Sequence, residues 1–141
     1  MDSSDHEIFR AAFRSAIGEE RFRKFVAAGV ATTRLRYWQE TELKQFFSAH
    51  PEHQMDTVEL ASALSICELH HLPLQSEMVD VFDGFVDYSQ AYLQARRDTF
   101  PRAAADPVST EGRADMPTRE TVSYCEKCRE ARSAWASGRR R

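Results

Sequence analysis

The sequence predicts an α+β fold, with a helical half over residues 1–65 and a metal-binding half over 66–141 that contains a small antiparallel sheet. Three observations predict it. Apolar residues recur at helical spacing through the first 65 positions. Beyond Ile66 the texture changes to short apolar runs broken by turn residues. Finally, every cysteine sits two residues away from a second soft or borderline metal ligand: Cys67-Glu68-Leu69-His70 and Cys125-Glu126-Lys127-Cys128.

The elements follow in order. Ser4 with Glu7 forms a capping box for a helix from Asp5 to Ile17, in which Ile8, Phe9, Ala12, Phe13, Ala16 and Ile17 recur at helical spacing until Gly18 stops it. A second helix runs from Glu19 to Gly29 with Phe22, Phe25 and Val26 inward. Thr32 or Thr33 caps a third, which carries Leu35, Trp38, Leu43, Phe46 and Phe47 until Pro51 forbids continuation. Asp56 or Thr57 caps a short fourth helix that delivers the chain to Cys67. Leu72 to Leu74 and Met78 to Phe82 read as two short strands, and Asp83-Gly84 as a turn. A fifth helix spans Asp87 to Thr99. Residues 102–118 hold almost no large apolar side chain and read as a mobile loop, because such a segment buries too little to offset its ordering entropy. Thr121 to Tyr124 is a strand, Arg129 to Ala136 a helix, and Arg139 to Arg141 a frayed tail.

Length and composition bound the rest. At 141 residues, with 42% hydrophobic and 29% charged, the chain has the size and make-up of one cooperative globular domain. Its longest apolar stretch, Phe25 to Ala31, is far below the roughly 20 residues that span a bilayer. The acidic start MDSSDHE is unlike a signal peptide, so a cytoplasmic protein without membrane contact is expected. A net charge of -3 argues against a surface that is wholly a nucleic-acid footprint.

Three cysteines cannot all pair, and their spacing suits a metal better than a disulfide framework. Cys67, His70, Cys125 and Cys128 make a Cys3His set for Zn2+, closed to water and substrate. His70 matches the two-residue spacer of the other pair; His71 is the alternative fourth ligand, and as the residue after the knuckle it falls where positive φ often calls for Gly. Two plainer readings stand beside zinc: Cys67 as a buried thiol, and Cys125 with Cys128 as a redox dithiol, although the strand-helix-strand setting of such dithiols is missing. His6, His50 and His53 read as surface histidines.

The segments CELHHLPLQ, FDGF, AYLQARRDTFPRA and YCEKCREARSAW together resemble a group of small uncharacterised bacterial zinc-binding proteins that have a Cys-x-x-His knuckle, an FP segment and a terminal Cys-x-x-Cys helix. The likeness covers Ile66 to Trp135. The order of knuckle, hairpin and helix-opening pair also resembles the treble-clef zinc finger, here with an inserted helix and loop. Treble clefs serve many roles, so neither resemblance implies an activity.

Three classes of function are therefore weighed. The first is a non-enzymatic zinc-stabilised interaction module, with a protein partner favoured. Its nucleic-acid-binding alternative uses the basic helical faces: residues 10–44 carry eight basic and four acidic groups, and residues 125–141 six and two, whereas residues 45–100 carry two and nine. Here Arg10, Arg14, Arg21, Arg23, Lys24, Arg34 and Arg36, with Arg129, Arg132 and Arg139 to Arg141, are candidate phosphate contacts, and Tyr37 and Trp38 candidate stacking platforms. The second class is a metal-dependent nuclease, with His50, His70 or His71 as base and Asp80, Asp83 or Asp87 as ligands, although no spacing demands it. The third is an accessory subunit whose acidic stretch from Glu68 to Asp98 faces a basic partner.

Overall fold

The computed structural model describes residues 2–30 and 34–139, the side chain of Arg139 excepted. Thr32 and Thr33, the expected caps of the third helix, lie outside the described residues, as do Arg140 and Arg141 of the expected tail. Among the described residues, six α-helices and a three-stranded mixed sheet make the fold α+β. The chain divides into two compact units, 1–68 and 69–141, and the boundary falls inside the Cys67–His70 knuckle.

The first unit is helical: α1 (Ser3–Ile17), α2 (Glu19–Ala28), α3 (Tyr37–Ala49), a single 3-10 turn at Pro51–His53, and α4 (Thr57–Ala63). The α1 cap differs from expectation. Asp2, not Ser4, is the N-cap; its side chain accepts from Asp5 N at 3.0 Å, and Asp5 returns the bond to Asp2 N. A carboxylate is an equally good cap, and the earlier start adds two residues of helix. Gly18 breaks α1 from α2 at φ 90°, a conformation that costs a residue with a Cβ.

Phe9, Phe13, Phe22, Phe25, Leu43 and Phe46 fill the core of this unit, as the helical spacing predicts, and Leu60 and Ile66 join them, whereas Ile8 is exposed. Phe13 lies at its centre, edge-on to Phe25 and Phe46 with ring centroids 5.1 Å away in each case. These edge contacts match the negative face of one ring with the positive rim of the next. Gln39 is the buried polar exception, and it is satisfied: its Nε2 donates to the carbonyls of Phe25 and Gly29, which fastens the end of α2 to α3. His6 and His53 are not surface residues. His6 pairs with Glu59 at 2.8 Å, His53 stacks on Phe46, and their side chains are only 14% and 18% exposed.

The second unit comprises β1 (Gln75–Phe82), α5 (Gln90–Thr99), β2 (Val108–Ser109), β3 (Arg119–Tyr124) and α6 (Glu126–Arg139). The expected small antiparallel sheet is in fact mixed, in the order β2-β1-β3. β1 and β3 are antiparallel, from Gln75 opposite Tyr124 to Asp80 opposite Arg119, whereas β2 joins β1 in parallel. The two short strands expected over Leu72–Leu74 and Met78–Phe82 give way to one, β1, which begins after Pro73, a residue without the N–H a strand interior needs. Its antiparallel partner is β3, far along the chain.

The segment 102–118, expected as a mobile loop, carries β2 and many polar anchors. Thr110 N donates to Phe82 O at 3.0 Å and Thr110 Oγ1 to Asp83 at 2.8 Å, while the Ser109 hydroxyl bonds Gly84 O. Asp106 gathers the Tyr92 hydroxyl, Arg96 at 2.8 Å and Arg132 at 3.6 Å. Small polar residues that bury little still supply the hydrogen bonds that hold a backbone course. Beneath them Tyr92, Phe100 and Trp135 form the aromatic cluster of this unit.

Candidate metal centre

Two local structures deliver the four ligand side chains. After α4 ends at Leu64, a turn over residues 68–70 follows Cys67 and brings His70 round to it. His71 then adopts φ 60°, the positive angle expected after a knuckle and one that a β-carbon makes costly. At the other end β3 runs straight into Cys125, and α6 opens on it, with Arg129 N donating to Cys125 O at 3.1 Å. Cys125 thus caps the helix and Cys128 sits in its first turn.

One ligand atom from each of Cys67, His70, Cys125 and Cys128 lies within 4.8 Å of every other, so these residues are placed to hold a metal ion. His70 Nδ1 is 3.3 Å from Cys128 Sγ and 3.6 Å from Cys125 Sγ. A tetrahedron with metal–sulfur bonds near 2.3 Å and metal–nitrogen bonds near 2.0 Å has N···S edges of roughly 3.5 Å. The imidazole therefore already stands at ligand spacing. All three cysteines are free thiols with no exposed surface. Burial, assisted by Lys127 and His71, holds His70 below the usual imidazole range, which favours the neutral, ligating form.

A second layer supports the sulfurs, and the sequence does not announce it. Arg102 N donates to Cys128 Sγ at 3.4 Å, and Arg102 O accepts from Cys125 N at 2.7 Å. The Phe100-Pro101 segment thus ends in a backbone clasp on the second ligand pair. Its signal lies in the main chain, which every residue shares, so only the buried Phe100 beside a helix-ending proline hints at it.

The basic candidates on these elements are largely occupied. Arg129 grips Glu77 of β1 with both terminal nitrogens, at 2.7 and 3.3 Å, donates to Ala103 O at 2.8 Å, and lies over the Tyr124 ring. Arg132 bonds the Tyr92 hydroxyl, and in the first unit Arg10 donates to Ala63 O at 2.9 Å. The nuclease candidates are not gathered. Asp80 is 91% exposed beside Arg119, Asp83 accepts from Thr110, and Asp87 is exposed. Among the described residues the Cys3His set is the sole metal-competent group. Also among them, no helix is long and apolar enough to cross a membrane. No family model, curated protein or solved structure matches the chain.

Proposed function

We propose that the chain is a non-enzymatic interaction module stabilised by one Zn2+, held by Cys67, His70, Cys125 and Cys128. The observation that carries this reading is the closure of three thiols and an imidazole within 4.8 Å. Soft ligands in that number favour zinc over magnesium or calcium, and four protein ligands leave no position for a substrate. When bound, the metal supplies a cross-link between the knuckle and the start of α6. The order of knuckle, antiparallel strand pair and helix-opening pair supports a treble-clef-like arrangement, with residues 83–118 inserted between the paired strands.

A protein partner is favoured over nucleic acid on charge. The net charge is -3, residues 45–100 carry nine acidic against two basic groups, and Arg10, Arg129 and Arg132 serve the fold itself. Nucleic acid remains the second reading because residues 10–44 keep a basic excess, with Arg23, Arg34 and Arg36 exposed.

Native mass spectrometry with and without a chelator tests the metal. One zinc per chain, stripped by chelation and absent from Cys125→Ser, is the expected result; unchanged zinc in Cys125→Ser rejects the ligand set. Fluorescence anisotropy with single-stranded and duplex oligonucleotides at low and moderate salt tests the partner. Sub-micromolar binding with a steep salt slope would reverse the ranking of protein over nucleic acid.

A further inference from the structure

A cleft of about 400 Å³ opens between α2 and α3, wholly within the first unit. Three kinds of side chain line it. Tyr37 and Trp38 form an aromatic wall, 84% and 39% exposed. Trp38 is fixed in place by Phe25, which it meets edge-on at 5.6 Å, while Tyr37 stands almost clear of the protein. Arg21 and Lys24 bring positive charge from α2, and the exposed Arg34 and Arg36 lie just before α3. The third kind is a carboxylate.

That carboxylate, Glu42, is 9% exposed. Its Oε1 accepts from Arg21 Nη2 at 2.5 Å, and its Oε2 is buried with no hydrogen-bond partner. A buried carboxylate oxygen without a donor is costly, and native proteins seldom leave one unless something else supplies the bond. The Arg21 side chain is 68% exposed, so it is free to turn from Glu42 Oε1 toward an incoming anion.

The combination selects among ligands. An alkylammonium suits the rings and Glu42 but is opposed by Arg21 and Lys24. A simple anion suits the two cations but leaves the aromatic wall and the orphaned oxygen unused. A planar base joined to a phosphate uses all three. We propose that this cleft binds a nucleotide, with its base stacked on Tyr37 and Trp38, a base N–H donated to Glu42 Oε2, and its phosphate held by Lys24 and Arg21. Guanine fits best, because its N1–H and N2 amine present adjacent donors on one edge, the complement of a carboxylate. The ligand is either a free mononucleotide or an unpaired base in a single strand, since both offer the same chemistry. The site is independent of the metal.

The chain has two tryptophans, so Trp135→Phe in the full-length protein leaves Trp38 as the reporter. Titration at low salt with GMP, AMP, ribose 5-phosphate and guanosine should give saturable quenching by GMP, with about tenfold weaker binding of ribose 5-phosphate and of guanosine. Tyr37→Ala, at a position too exposed to endanger the fold, should weaken GMP by about tenfold. Glu42→Gln, which puts a donor where the acceptor was, should abolish the preference for GMP over AMP. Tighter binding of a guanine-containing single strand than of GMP identifies the strand as the source; equal or weaker binding identifies the free nucleotide. Ribose 5-phosphate binding as tightly as GMP, or GMP that does not saturate, overturns the proposal.

Discussion

The two units solve the same problem with different materials. Residues 1–68 bury five phenylalanines to 4% exposure or less, in a cluster with the aliphatic side chains of four helices. Residues 69–141 bury far fewer large apolar groups: Tyr92, Phe100, Ala103, Cys125 and Cys128 are the buried hydrophobic residues described there. In their place stand an Arg129–Glu77 clamp, an aspartate that gathers two arginines and a tyrosine, and three of the four residues placed to hold a metal ion. The first unit is stable by area removed from water. The second depends on directional bonds, which are worth little singly and most when a metal organises them.

The sharpest way to break that contrast is to remove the metal. Structural zinc contributes about 10–16 kcal/mol of apparent binding free energy, more than the whole stability of a typical domain. Chelation or Cys125→Ser should therefore collapse amide-exchange protection in β3 and α6 while α1 and α2 keep theirs. Equal loss in both units would show that they are not separately stabilised.

Phe13→Ala is the converse test. Truncating a fully buried phenylalanine costs about 3–5 kcal/mol, which should fall on the first unit. Zinc stoichiometry by native mass spectrometry should stay unchanged in the fraction that folds.

Arg129→Met removes the clamp but keeps much of the apolar stem. A fall of a few degrees in the melting temperature of the zinc-loaded protein is expected, smaller than for Phe13→Ala. The same clamp has a pH signature. The Arg129 guanidinium holds the Glu77 carboxyl below its ordinary range. A folded-state pKa below the unfolded value gives stability that is complete above the unfolded value and is lost as pH falls through the folded one. Acid titration of melting temperature should therefore show a loss below about pH 4.3 that Arg129→Met diminishes. An identical acid limb in both proteins would remove Glu77 from the account.

The smallest effect belongs to His71. His71→Gly should keep the metal and gain about 0.5–1 kcal/mol from relief at φ 60°, whereas His70→Ala should lose the metal as Cys125→Ser does. Metal loss in the His71 variant with retention in the His70 variant would transfer the fourth ligand to His71.

Much of the first unit was legible because a helix states its buried face locally: Phe9 and Phe13, or Leu43 and Phe46, announce it at spacings of four and three. The four residues placed to hold a metal were legible for a similar reason, each pair being declared by two intervening residues. What was not legible is long-range or main-chain. Nothing near Gln75 says that its partner is Tyr124, and the polar 102–118 segment hides β2 because ladder bonds leave no side-chain pattern. Arg102 was invisible as a support for sulfur because it acts through its backbone, and Asp2 was overlooked beside the equally plausible Ser4.

The sequence distance between ligand pairs also sets an order in time. His70 and Cys125 are 55 positions apart, and the β1–β3 pairs run from Asp80 with Arg119 to Gln75 with Tyr124, a shorter but still long separation. Closing a loop of that length costs entropy before any contact rewards it, whereas the helices of the first unit meet neighbours close along the chain. As the chain is synthesised, those helices fold first, and Cys67 and His70 stay an incomplete chelate until α6 emerges. The last-made helix is thus the one that converts two loose thiol-bearing ends into a closed site.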